Sequence, residues 1–358
     1  MTTESIPIPT AAGPAARTAA GTAAGAAPGT AAGTVAAPGA SPTRIPFVTL
    51  AISIGLAGLA GDWSIAGRLL GVPPVIGNVV WIIAAIAWVW LIVAHLVRGR
   101  RSADSLGDQL RHPAQGPIGS LAPTVGMLLG AKLADVAPLA GEIVVVVMIA
   151  VAAVFAAWIL GHWASGRVQA AAIHGGYFLP TVAAGLVAAG AAAKVGLPTL
   201  AIGALAVGVF FWIVMSVIII ARLAFLPPLP DALVPTLAII AAPPAVAGEA
   251  VFAMSGGAPT GLAAGAVSAL IAITVVMAGM QIALVRRYRY LPFGLGFWSF
   301  TFAYAAVVGF VMEWLAFAAF PGWQIIAAVL LGLISVFIGV ISVRSIALVV
   351  LARRRTAG

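Results

Sequence analysis

Charge is what this sequence lacks most. Only 8% of its 358 residues are Asp, Glu, Lys or Arg, 63% are hydrophobic, and the mean hydropathy is +1.15. A soluble domain carries about 25% charged residues, so no water-facing surface of this size can be covered. The chain reads as an integral membrane protein. Cysteine is absent, which excludes disulfides, zinc–thiolate sites and thiol catalysis. The four histidines have no metal-ligand spacing to one another, and neither H-E-x-x-H nor a paired-Asp cluster occurs. No cofactor or metal is therefore expected, and an enzyme has no residues to work with. Lysine is scarce too: sixteen of the eighteen basic residues are Arg. The net charge of +9 sits in short segments between apolar runs, where membrane topology accounts for it without a nucleic-acid partner. It leaves a positive field that favours anions near the mouth of any pore.

What is present is apolar length. Residues 1–43 form an Ala/Gly/Pro/Thr tract with two charged side chains, Glu4 and Arg17. They can bury no core and read as a disordered cytoplasmic tail. From Pro46 onward come ten apolar runs of about 20 residues, the length that crosses about 30 Å of hydrocarbon. They are 46–64, 75–97, 117–136, 139–162, 176–195, 199–222, 233–254, 259–284, 293–318 and 323–350. The ten-helix transmembrane domain is set at 44–352, and 353–358 is a basic cytoplasmic C-terminus. With the tail in the cytoplasm, fifteen of the eighteen basic residues fall on that side; Arg68, Lys132 and Lys194 fall opposite. That asymmetry is the positive-inside rule, and it predicts a multi-pass protein of the cell inner membrane with both termini cytoplasmic.

The runs are of two kinds. Even-numbered spans are continuous and rich in Val, Ile, Leu and Trp, as in "VVWIIAAIAWVWLIVAHLV". Odd-numbered spans carry internal prolines among Ala and Gly: Pro123–Thr124 in span 3, Pro180–Thr181 in span 5, Pro235–Thr236 and Pro243–Pro244 in span 7. An internal proline removes a backbone hydrogen bond and bends the helix. The freed carbonyls must face protein or a wet cavity. Odd helices inside and even helices outside is the simplest arrangement. Tight helix packing alone also explains small-residue faces.

Span 9 reads "PFGLGFWSFTFAYAAVVGFVMEWL" from Pro292. Helical spacing puts Ser299, Phe302, Ala306, Gly309 and Glu313 on one face and Phe293, Phe297, Phe300, Tyr304, Val307 and Val311 on another. The second face is uniformly bulky and reads as packing. On the first, Phe302 is a lone large ring among small residues. Two readings fit it equally: a plug in a narrow passage, or a knob filling a gap between helices.

The stretches "RHPAQGPIGSLAPTVGMLLG" (111–130), "GYFLPTVAAGLVAA" (176–189), "PTLAIIAAPPAVAG" (235–248) and "LPFGLGFWSFTFAYAA" (291–306) resemble the tellurite-resistance/dicarboxylate transporter family. That family includes bacterial TehA permeases and plant slow anion channels. The resemblance implies an all-α fold of ten transmembrane helices in five hairpins, the odd helices lining a central pore. It also implies a homotrimer with one pore per protomer, and a phenylalanine gate at the position of Phe302.

Glutamates inside spans are costly and call for a function. Glu313 lies eleven residues beyond Phe302, roughly 16 Å along the axis at the helical rise. Glu313 and Glu249 are candidates for proton coupling, against the alternative of hydrogen-bonded structural glutamates. The leading reading is an anion-selective channel or permease passing small inorganic anions or carboxylates across the lipid bilayer. Its gate is Phe302, and its candidate lining is Pro123, Thr124, Pro180, Thr181, Pro243, Pro244, Ser299, Ala306 and Gly309. The alternative is a proton-coupled C4-dicarboxylate carrier, or an exporter of sulfite or a tellurium oxyanion. Lys132 and Asp135 are expected at a solvated rim. His174, beside a span of the odd set, is a candidate for pH sensitivity.

Overall fold

The computed structural model describes residues 44–357; the expected tail at 1–43 lies outside them. Among the described residues the regular structure is entirely helical. The helices are α1 (Leu50–Leu70), α2 (Val75–Gly99), α3 (Leu106–Arg111), α4 (Leu121–Leu133), α5 (Pro138–Ala164), α6 (Ala184–Lys194), α7 (Pro198–Phe225), α8 (Ala242–Met254), α9 (Gly261–Tyr288), α10 (Trp298–Ala318) and α11 (Trp323–Ala357). Nine helical segments among the described residues are long and apolar enough to cross a membrane. The remaining expected span, the third, is a 3-10 turn, Gly116–Ser120, running directly into α4.

Each odd span begins irregularly. Tight 3-10 turns precede α1 (Phe47–Thr49), α4 (Gly116–Ser120), α8 (Val234–Ala241) and α10 (Leu295–Phe297). Before α6, a 3-10 turn (Gly175–Phe178) gives way to a π turn (Leu179–Ala183). Prolines explain several of these starts. Pro117, Pro180 and Pro235 sit in the first turn of their segments, where a missing N–H is tolerated but the α-helical ladder is interrupted. The even-numbered spans start cleanly, Pro138 and Pro198 opening α5 and α7 at positions where proline is preorganised for a helix.

Burial follows the same division. In the most apolar stretch of Gly175–Lys194 and of Val234–Met254, 78% of residues are buried, with 50% in Phe47–Leu70 and 56% in Leu295–Ala318. In Val75–Gly99, Pro138–Ala164, Pro198–Phe225 and Gly261–Tyr288 the share is 17%, and in Trp323–Ala352 it is 28%. The interrupted helices therefore form the interior and the regular ones the periphery. Large side chains such as Trp90, Phe210, Val217 and Ile282 stand exposed on the outer helices, as lipid-facing positions require.

Backbone carbonyls of the interior spans also take side-chain donors from the outer helices. Gln281 of α9 donates through Nε2 to the Leu237 carbonyl at 3.0 Å. Trp88 of α2 donates through Nε1 to the Ala122 carbonyl, beside Pro123, at 2.9 Å. Small residues let these backbones approach. A Cβ at Gly175 would collide with the Thr236 carbonyl oxygen, so two irregular starts touch there through backbone alone. Gly175→Ala is expected to destabilise the protein by about 1–3 kcal/mol, the usual cost of overpacking. Gly203, exposed on α7 with open space around it, is the control. Gly203→Ala is expected to leave the detergent melting midpoint unchanged or raised, whereas Gly175→Ala lowers it.

Candidate functional site

The orientation of α10 is fixed from behind. Phe300 meets the Tyr288 ring edge-on at 4.9 Å and lies 5.6 Å from both Phe297 and Tyr304; Tyr304 packs on Phe337 at 5.7 Å. The two phenols point at one acceptor. Tyr288 donates to Gln281 Oε1 at 2.8 Å and Tyr304 at 3.2 Å. The bulky face read from the sequence is thus anchored to α9 and α11. The face carrying Ser299, Phe302 and Ala306 turns inward.

That face borders two cavities between the odd-numbered spans. One, about 50 Å³, lies toward the Arg-rich end that holds the start of α1 and the end of α11. Its walls include Ile54, Phe178, Ile239, Pro243, Ser299 and Phe302. The other, about 430 Å³, lies toward the opposite end and is lined by Asp62, Arg68, Glu249, Phe302, Ala306 and Glu313, among others. Three residues border both: Leu186 of α6, Val246 of α8 and Phe302 of α10. They form an apolar constriction between the two spaces. Behind the ring, a Cβ at Gly58 would stand 3.1 Å from Phe302 Cδ2, so α1 leaves just enough room for it.

The other expected residues divide. Pro243 and Ser299 line the smaller cavity, and Ala306, Glu249 and Glu313 the larger. Gly309 abuts the larger one: a side chain there would collide with Glu249 Oε1 and approach Asp62 Oδ1 to 2.8 Å. Pro123, Thr124 and Pro244 are buried and stand outside both walls. The Thr124 hydroxyl donates instead to the Ser120 carbonyl at 2.8 Å. Pro180 and Thr181 line a third space of about 700 Å³ between α5, α6 and α7, away from the constriction.

Sequence reasoning passed over Leu186, Val246 and Asp62. Asp62, on α1, is 2% exposed, and its Oδ2 has no hydrogen-bond partner. Its position as an acid within the first span was a signal available in the sequence. Its carboxyl and that of Glu249 converge on Gly309 from two other helices. Glu313 is held separately, accepting from Arg68 at 2.9 Å, with Arg68 largely exposed and Glu313 largely covered. The mouth of this cavity also carries Lys132 and Lys194, which both reach Asp135, at 2.9 and 3.1 Å.

His174 lies just before the span that begins at Gly175, and is fully buried. Burial holds its imidazole at about 4, with the Arg222 charge acting in the same direction against the Pro113 and Ala114 carbonyls. Its Nδ1 accepts the Gly176 N–H at 3.1 Å. A ring so placed stays neutral through physiological pH, which corrects the expectation of pH sensitivity there.

The fold is a multi-span helical bundle suited to a membrane, with two cavities inside it separated by an apolar constriction. Residues 44–346 match the family described as SLAC1, voltage-dependent anion channel, and the chain belongs to that family. The family's channels and transporters are not enzymes. The chain is also similar to a tellurite resistance protein TehA homolog of Haemophilus influenzae, 22% identical over 180 residues. That match covers 50% of this chain and 55% of the relative, so the chain spans about half of that protein's length.

The Lys132–Asp135–Lys194 cluster gives a pH prediction. Partial burial works to raise the Asp135 carboxyl, but hydrogen bonds and charge from the two lysines outweigh it and hold it below the usual carboxylate range. Its stabilising effect is therefore present above the unfolded value of about 3.9 and is lost as pH falls through the lower folded value. Asp135→Asn is expected to lower the melting midpoint slightly at pH 7. The difference from wild type should shrink to nothing in strong acid, as a pH series of melting curves would reveal.

Proposed function

We propose that this protein is an anion-selective channel or permease in which Phe302 closes the passage between the two axial cavities. The observation that carries the reading is the membership of Phe302 in both cavity walls, on an α10 whose opposite face is anchored. Rotation of one benzyl side chain toward the space beside Ser299 or Ala306 would join the cavities, with no movement of a helix. Selectivity would come from bore and weak polar contacts such as the Ser299 hydroxyl, because the constriction itself carries no charge. Small inorganic anions and carboxylates are the proposed substrates. The name of the Haemophilus influenzae relative adds tellurium oxyanions to the candidates.

The Arg-rich end faces the cytoplasm in this proposal, with both termini there and the protein in the plasma membrane. Three copies associate, each with its own path, as the family resemblance implies. Phe302→Ala is expected to raise anion flux in proteoliposomes several-fold. Phe300→Ala, which removes packing on the anchored face, should lower stability without that rise. Wild-type flux through a correctly folded Phe302→Ala protein would remove the gate.

A second reading, coupled transport of protons with a dicarboxylate or oxyanion, is favoured by one observation. Asp62 and Glu249 converge on Gly309 with no cation pairing either of them among the described residues. Two adjacent carboxyls on one cavity wall offer a place where a proton could be taken up and released. An imposed pH gradient should then drive anion uptake in the wild type. Asp62→Asn and Glu249→Gln should each abolish that drive while anion exchange at matched pH persists. Uptake indifferent to the gradient in the wild type would leave the channel reading alone.

A further inference from the structure

Arg222 closes the last turn of α7 at the Arg-rich end, and its surroundings do not account for it. It is only 5% exposed. Its Nη2 donates to the Ala171 carbonyl at 2.9 Å, but Nε and Nη1 are both buried without a partner. Among the described residues no carboxylate pairs with it. The neighbouring charge is of the same sign: Arg287, at the end of α9, bears on Arg222 electrostatically and donates to the Leu229 carbonyl at 3.1 Å. Two like charges are thus brought together against two loop carbonyls, one guanidinium nearly dry and two of its nitrogens unused. A buried guanidinium left unpaired is strongly unfavourable, and planar N–H donors of this kind match oxyanions.

We propose that Arg222, supported by Arg287, holds a phosphate-type oxyanion in a site separate from the axial passage. Neither residue lines either axial cavity. α7 is one of the peripheral helices, and Phe225, three residues beyond Arg222, is 83% exposed. The site therefore lies near the boundary where lipid headgroups sit. Exposed Arg286 and Arg289 flank Arg287 on the same end, so the local field suits an anion. The oxyanion is either the phosphate of an anionic lipid or free phosphate; the chemistry of recognition is shared. Occupancy would brace the 170–174 loop, through Ala171, against α7 and so secure the start of the span that begins at Gly175.

The test is thermal unfolding of the full chain in neutral detergent. It is followed with inorganic phosphate, with dioctanoyl phosphatidylglycerol, with dioctanoyl phosphatidylcholine, and with chloride at matched ionic strength. The expected result is a saturable rise in the melting midpoint with phosphatidylglycerol or with phosphate, and none with chloride. A rise with the anionic lipid alone assigns a headgroup site; a rise with phosphate assigns a free oxyanion site. Arg222→Gln should abolish the shift, Arg222→Lys should retain part of it, and Arg286→Gln should keep it. If Arg222→Gln does not fold, Arg287→Gln is the deciding variant and should weaken the apparent affinity several-fold. No shift in the wild type, or shifts in Arg222→Gln and Arg287→Gln equal to wild type, would overturn the proposal. So would an equal response to phosphatidylcholine, phosphatidylglycerol and chloride.

Discussion

Hydrocarbon offers no hydrogen-bond partner to a backbone carbonyl, and the rest of this architecture follows from that constraint. A helix that begins with 3-10 or π turns cannot turn those turns toward lipid. Gly116–Ser120, Gly175–Ala183 and Val234–Ala241 must therefore sit inside, where Gln281 reaches the last of them and neighbouring backbone packs on the others. The regular helices lack this problem and take the periphery. Once the interrupted helices are inside, their Ala and Gly content leaves space that larger residues would have filled. The cavities are thus the volume left when kinked, small-residue helices are forced into a centre.

The second requirement is that one ring point into that volume. Helical phase alone does not hold a helix at a given rotation in a bundle of apolar surfaces. Here one amide does so: Gln281 accepts from two tyrosines through Oε1 and donates to Leu237 through Nε2. One side chain thereby ties α9, α10 and the irregular start of α8 together. Turning α10 by one residue would break the Tyr304 phenol hydrogen bond and carry Phe300 off the Tyr288 ring and Tyr304 off Phe337, and a buried polar group left unsatisfied is expensive. The inward direction of Phe302 is consequently set by one phenol hydrogen bond and by ring packing on the far side of its own helix.

Much of this was legible in the sequence. Internal prolines marked three of the five interior spans and alternation supplied the other two, while the 3.6-residue period separated Phe302 from Phe300. What the sequence did not reveal is azimuth on the other helices. Pro180 and Thr181 lie on an interior span, yet face the space between α5, α6 and α7, while Leu186, one and a half turns further on, reaches the constriction. Leu186 and Val246 carry no pattern that distinguishes them from packing residues, since their role depends on which three helices meet. Asp62 was visible as an intramembrane acid, but its convergence with Glu249 across Gly309 needs the approach of α1, α8 and α10.

The charges of the larger cavity bear on how an anion would move through it. Lys132 and Lys194 stand at its mouth but share Asp135, and Arg68 is taken by Glu313. The rim cations therefore hold anions weakly, which suits passage better than retention. Deeper, Asp62 and Glu249 would repel an anion if both were ionised and would offer it hydrogen-bond donors if protonated. On the proposed reading, the same cavity would change from barrier to path with the protons it carried. A channel and a proton-coupled carrier built on this frame would differ chiefly in whether those protons leave with the anion or stay behind.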